Sequence, residues 1–153
     1  MATLILDAAG YQFIRDREGL SLTVKGDTGA HQEIGYGHDL LPVESYPDGI
    51  TQPYAEALLQ ADAARDQVHV NSVVPSTCTQ NQFDALVDFC YECGPGALQQ
   101  LIAHGWSQVT AQLPRWVYAK INGVEIELPG MVTRRQLEVQ LFNSPVPTSQ
   151  ASA

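Results

Sequence analysis

Glu18, Asp27 and Glu33 stand at intervals of nine and six residues in "EGLSLTVKGDTGAHQEIGYGH", ahead of a glycine-rich aromatic turn that ends in His38. Only 16% of the chain is charged, so three carboxyls in one short stretch are either solvated loop decoration or a site that breaks a bond. Glu18 falls where a short helix is expected to end. Apolar residues around Leu20 would shield its carboxyl, and a shielded carboxyl keeps its proton near neutral pH. Asp27 falls in the turn "KGDTG", where backbone N–H groups and water keep a carboxylate ionised. Two carboxyls pushed to opposite charge states form an acid/base pair. Glycosidic bonds are cleaved by such a pair: one acid protonates the leaving oxygen, and one carboxylate supports the cationic sugar from the other side.

The elements that must hold these groups follow from patterning. "DAAGYQFIRDREG" reads as a helix with Asp7 as N-cap, Gly19 at its C-cap, and Ala8, Tyr11 and Ile14 on one face. Residues 20–38 alternate and turn, which predicts a small antiparallel sheet. Residues 51–70 return to helical spacing, capped by Thr51, with Tyr54, Leu58, Ala61 and Val68 as the apolar positions. "NQFDALVDFCYECG" carries Phe83, Leu86, Val87, Phe89 and Cys90 around most of its circumference and predicts a buried helix, stopped by Gly94, Pro95 and Gly96. Two more helices fit "ALQQLIAHG" and "WSQVTAQLPRW", the latter with Trp106 packed in the core. Asn122-Gly123 between alternating runs predicts a hairpin, and residues 133–142 a last helix. The sum is an α+β chain, with a small N-terminal antiparallel sheet lobe, a mainly helical lobe and a cleft between them. Residues 1–142 are expected to form a single domain and residues 143–153 a flexible polar tail.

Composition narrows the partners. Eight Lys+Arg against seventeen Asp+Glu give a formal charge of −9, which argues against nucleic acid, since phosphate neutralisation needs a basic patch. No apolar run is long enough for a bilayer span, and the first residues lack the basic start of a secretory signal. Cys90 and Cys93 form a C-x-x-C, but with Cys78 they fall short of a zinc set. Small buried thiols fit best, and one disulfide from Cys78 to either partner stays open.

The chain resembles the phage-type lysozymes, the endolysins or muramidases of glycoside hydrolase family twenty-four. Glu18, eight intervening residues, Asp27, five more and "EIGYGH" match the family's spacing of catalytic Glu, catalytic Asp and Thr before an "-IGYGH" turn. "NQFDALVDFCYECGPGAL" is similar to the family's central helix, often "QFDALVSFAFNVGPGAL". "GITQPYAEALLQAD" and "RWVYAKINGVEIELPGMVTRRQLEVQLF" resemble its linking segment and its ending, so the likeness covers residues 8–142. It implies a monomeric, cofactor-free and metal-free enzyme that hydrolyses the β-1,4 bond between N-acetylmuramic acid and N-acetylglucosamine in peptidoglycan. It implies no membrane insertion, and action in the periplasm or wall after release through a pore that another protein makes. A lytic transglycosylase and a catalytically idle wall-binding module are the alternatives.

By the same resemblance Glu18 is the general acid, and Asp27 positions water or stabilises the sugar cation. His38 pairs with Asp62 in a buried contact that should weaken at low pH, the alternative being an unpaired loop histidine. Arg134 lies near the catalytic Glu, while Arg135 is expected on a solvated helix face. Three departures stand out. Glu33 replaces the family threonine and could act as nucleophile, act as general base, or point away. Glu92 replaces an amide that contacts sugar, and loses the donor half of that contact. The acidity is the third, since many wall-degrading enzymes are cationic. Trp116 lies either behind the substrate cleft or wholly in the core.

Overall fold

The computed structural model describes residues 2–26 and 31–145. Asp27 and most of the expected tail, residues 146–153, lie outside the described residues. The chain divides into two units, Tyr11–Arg65 and Met1–Gly10 with Asp66–Ala153.

Asp7 opens α1 (Ala8–Glu18) by accepting the Gly10 N–H at 2.8 Å, an N-cap bond that satisfies an otherwise unpaired donor. Gly19, at φ +70°, closes the helix by donating to the Arg15 carbonyl at 2.9 Å. In the Tyr11–Arg65 unit three strands follow, β1 (Ser21–Lys25), β2 (Glu33–Gly35) and β3 (His38–Asp39), paired antiparallel in that order. The register sets Ile34 opposite His38 and Glu33 opposite Asp39. Because side chains alternate across a sheet, the first pair is buried on one face and the second rises from the other.

α2 (Gln52–Val73) begins with its Thr51 cap, whose hydroxyl accepts the Tyr54 N–H at 3.3 Å. Its buried stripe is Ala55, Leu59, Ala63 and Val70 rather than Tyr54, Leu58, Ala61 and Val68. Within the first unit the reason is close approach. Gly35 lies so near that a Cβ there would come within 3.4 Å of Ala55, and only the small side of the helix fits. Tyr54 instead packs edge-on against Tyr46.

In the second unit α3 (Gln80–Ala103) starts with a reciprocal capping box between Thr79 and Gln82. The five apolar residues expected in its core are all buried, and Asp84 and Asp88 are buried with them. Gly94, at φ +88° and ψ 167°, leaves helical geometry and ends the apolar half of α3 as expected, and Pro95 opens a second helical half in its first turn. Two 3-10 turns flank the short α4 (Val109–Gln112), and Trp106 packs on Phe142 with ring centroids 5.3 Å apart. β4 (Tyr118–Ile121) and β5 (Val124–Glu127) form the hairpin, turning through Asn122 and Gly123 at φ +51° and +78°. α5 (Pro129–Asn143) begins earlier than residue 133, because Pro129 serves as its first-turn residue. All three cysteines are free thiols. Among the described residues no helix is long and apolar enough to cross a membrane.

Candidate active site

Glu18 is the last residue of α1 and is half-buried. What shields it is not Leu20, which is 39% exposed, but the backbone of the "GYGH" turn. A Cβ built on Gly37 would lie 2.6 Å from Glu18 Oε2 and 3.0 Å from its carboxyl carbon. Gly37 is also at φ +74°, so glycine is required twice over: for the turn, and for room under the carboxyl. One turn back along α1, Arg15 makes a two-pronged ion pair with Glu56 of α2, both contacts at 2.8 Å. Tyr36 adds a hydrogen bond to the same carboxylate. That network fixes the end of α1 on which Glu18 sits.

The turn is anchored from its other side. His38 Nδ1 lies 2.7 Å from Asp62 Oδ2, and its Nε2 lies 3.0 Å from Glu44 Oε2. With a carboxylate at each nitrogen, the ring donates from both and is held as imidazolium. Burial opposes that charge, but the hydrogen bonds to Asp62 and Glu44 outweigh it, and the His38 pKa is raised. Glu44 is held below its usual range, chiefly by the Leu41 N–H and then by His38. The second carboxylate adds something the sequence reading lacked. Stability from this cluster is lost as pH rises through the raised His38 value, as well as when Glu44 is protonated in acid.

Glu33 is half-buried on β2, and close to it are His31 and Asp39. Arg134 is buried, donating to both oxygens of Asp88 at 2.9 and 2.8 Å and approaching Glu92 Oε2 at 2.8 Å. Arg135 is not on a solvated face: it is 0% exposed. Its Nη2 reaches Glu92 at 2.5 Å and Glu138 at 2.8 Å, and its Nη1 reaches the Trp116 carbonyl at 3.3 Å. Its Nε lies 2.7 Å from Glu138 Oε2, an ion pair whose angle falls short of a hydrogen bond. Two cations thus face three acids, an imbalance that burial penalises. Glu138 bears that penalty: burial above all, then the hydrogen bond with Asp88, raises its pKa well above the usual range.

Glu92 is therefore a shared acceptor for two guanidinium groups. Trp116 is half-buried with its ring edge-on to Phe89 at 5.6 Å. Sequence reasoning missed Glu44, Asp88, Arg135 and Glu138. Asp84 and Asp88 inside an otherwise apolar helix were the available signal, since a buried carboxylate requires a cation or a proton.

A profile of the phage lysozyme family matches residues 15–138. The chain belongs to that family. It is 34% identical over 141 residues to the endolysin of Acyrthosiphon pisum secondary endosymbiont phage 1, covering 88% of this chain and 95% of that one. It is 37% identical over 153 residues to the endolysin of Bacillus phage PZA, covering 93% of this chain but only 56% of that longer relative. Among solved structures, the muramidase domain of SpmX from Asticaccaulis excentricus superposes with a TM-score of 0.79 at 31% identity, over 92% of this chain and 99% of that domain. Membership makes this chain a peptidoglycan-hydrolysing lysozyme in kind, and its α+β elements agree with that.

Proposed function

We propose that this phage lysozyme cleaves the β-1,4 bond between N-acetylmuramic acid and N-acetylglucosamine, with Glu18 as the general acid. The observation that carries the reading is the seat of Glu18: a half-buried carboxyl at the C-terminal end of α1, backed by the Gly37 backbone. A helix C-terminus is the negative end of its dipole and favours the neutral carboxyl over the anion. Glu18 gives its proton to the glycosidic oxygen as the C–O bond breaks. An ionised carboxylate, Asp27 or Glu33, supports the oxocarbenium-like sugar. Water then adds its hydroxyl to the anomeric carbon and leaves its proton on a carboxylate.

In this reading Glu33 takes the threonine's place as general base or nucleophile. His38, Asp62 and Arg134 hold the scaffold, and Glu92 and Trp116 border the sugar. The chain acts as a monomer on the wall, as one domain over residues 1–142, and needs no cofactor.

The test is clearing of a turbid peptidoglycan suspension by wild type and by Glu18→Gln. General acids contribute roughly 10²- to 10⁴-fold, and a loss in that range is expected. Clearing by Glu18→Gln at the wild-type rate refutes the assignment. Pelleting of wild type with walls that it never clears identifies a binding module instead. Mass spectrometry of released muropeptides should give reducing ends; anhydro ends would identify a transglycosylase.

A further inference from the structure

β2 and β3 carry two carboxylates that face one another. Glu33 and Asp39 are direct partners across the antiparallel pair, and like charges directly opposite in a ladder repel. His31 brings its Nε2 to 3.0 Å from Asp39 Oδ1. One ligand atom from each of His31, Glu33 and Asp39 lies within 4.8 Å of the other two. Lys25 is the other cross-strand partner of Glu33, so any cation entering between the carboxylates competes with one positive charge.

We propose that His31, Glu33 and Asp39 form a binding site for a divalent cation of the zinc type, and that its occupation withdraws Glu33 from the reaction. The donor set decides the class of ion. One imidazole nitrogen and two carboxylate oxygens suit zinc and its neighbours, whereas calcium and magnesium take oxygen ligands. Ligand bonds of ~2.0–2.2 Å about a tetrahedral ion put the donor atoms ~3.3 Å apart. The cluster must therefore contract. The His31 and Asp39 side chains are 73% and 66% exposed and can move without disturbing the core.

The strands beneath them cannot move so easily. Ile34 is fully buried on the opposite face, and His38 is tied to Asp62 and Glu44. Only the side chains need rearrange, which lowers the ordering cost of binding. Three protein ligands leave a coordination position for water. A formal charge of −9 raises the local concentration of cations. The inhibitory half of the proposal rests on the role assigned to Glu33 above; the binding half does not.

Calorimetry with zinc chloride and the full chain tests the site directly. Wild type should bind one equivalent. Loss of even an outer partner of a ligand weakens metal sites roughly 10- to 100-fold, so His31→Ala and Asp39→Asn should bind at least ~10-fold more weakly. His69→Ala and His104→Ala, which alter two other exposed histidines, should bind as wild type does. No stoichiometric binding by wild type, survival of binding in His31→Ala, or loss in either control overturns the site. In the clearing assay zinc should slow wild type and spare His31→Ala. Zinc that binds at the site yet leaves wild-type clearing unchanged overturns the inhibitory half. Wild type that never clears walls refutes the proposed function and leaves the calorimetric result standing.

Discussion

Gly37→Ala separates the position of the Glu18 carboxyl from the stability of the fold. At φ +74° an alanine costs ~1–2 kcal/mol of backbone strain. Its methyl would also start 2.6 Å from Glu18 Oε2, where ordinary contact begins at 3.4 Å, so the carboxyl must retreat by about 0.8 Å. That retreat adds little to the stability loss, because the colliding atom is the free end of a side chain. It moves the acid off its line to the leaving oxygen, and a displacement near 1 Å is worth up to ~10²-fold in rate. The matched control is Gly123→Ala, at φ +78° with nothing within 4 Å of the added methyl. Urea unfolding should show similar losses for the two variants. Clearing rates, compared where both are fully folded, should fall ~10- to 100-fold for Gly37→Ala only. Equal clearing by the two variants would refute the claim that the turn backbone positions the acid.

Two further outcomes follow from the charge networks. The His38 cluster should give a two-sided profile of melting temperature against pH. Its contribution is complete below the ordinary histidine value of 6.5 and lost as pH rises through the raised His38 pKa; it is also lost as pH falls through the lowered Glu44 pKa, below the ordinary 4.5. His38→Gln should cost ~1.5–3 kcal/mol near pH ~6 and flatten the alkaline limb. In the buried cluster, Arg135→Leu removes one of the two cations that face Asp88, Glu92 and Glu138 and should cost ~3–5 kcal/mol by urea unfolding. Glu138→Gln keeps a neutral donor for Asp88 and should stay within ~1 kcal/mol of wild type.

What was legible in the sequence was local. Asp7, Gly19, Thr51 and the Asn122-Gly123 turn each act within a few residues, and each takes the expected geometry. The Thr79–Gln82 capping box is equally local, a Thr and a Gln three residues apart just before an apolar run. The errors came where a partner element decides. The face that α2 buries depends on the backbone of Gly35, and no spacing within α2 reports that. Arg135 reads as solvated because arginine on a terminal helix usually is. Its burial depends on Glu92 in α3 and Glu138 in α5, which meet only after packing. Glu44 lies in a loop whose composition suggested nothing beyond turns, yet it completes the partners of His38.

Perturbed charge alone nominates two other acids. Asp84 is pushed up to about 8 by burial, with Gln80 opposing and Asp7 adding to the rise, and Glu138 is raised well above its usual range. Both are shifted toward the protonated form, and strongly shifted groups cluster at active sites. Neither can meet a polysaccharide. Asp84 is 2% exposed and Glu138 is 0% exposed, and their carboxyl oxygens are engaged by Gln80 and Arg135 in the interior. A general acid for a polymer must be sheltered enough to stay protonated and open enough to reach a bridging oxygen. Asp84 and Glu138 fail the second condition, whereas the proposed acid, Glu18, is half-buried rather than closed off. It stands at the negative end of the α1 dipole, against the one residue type that leaves room beneath its carboxyl.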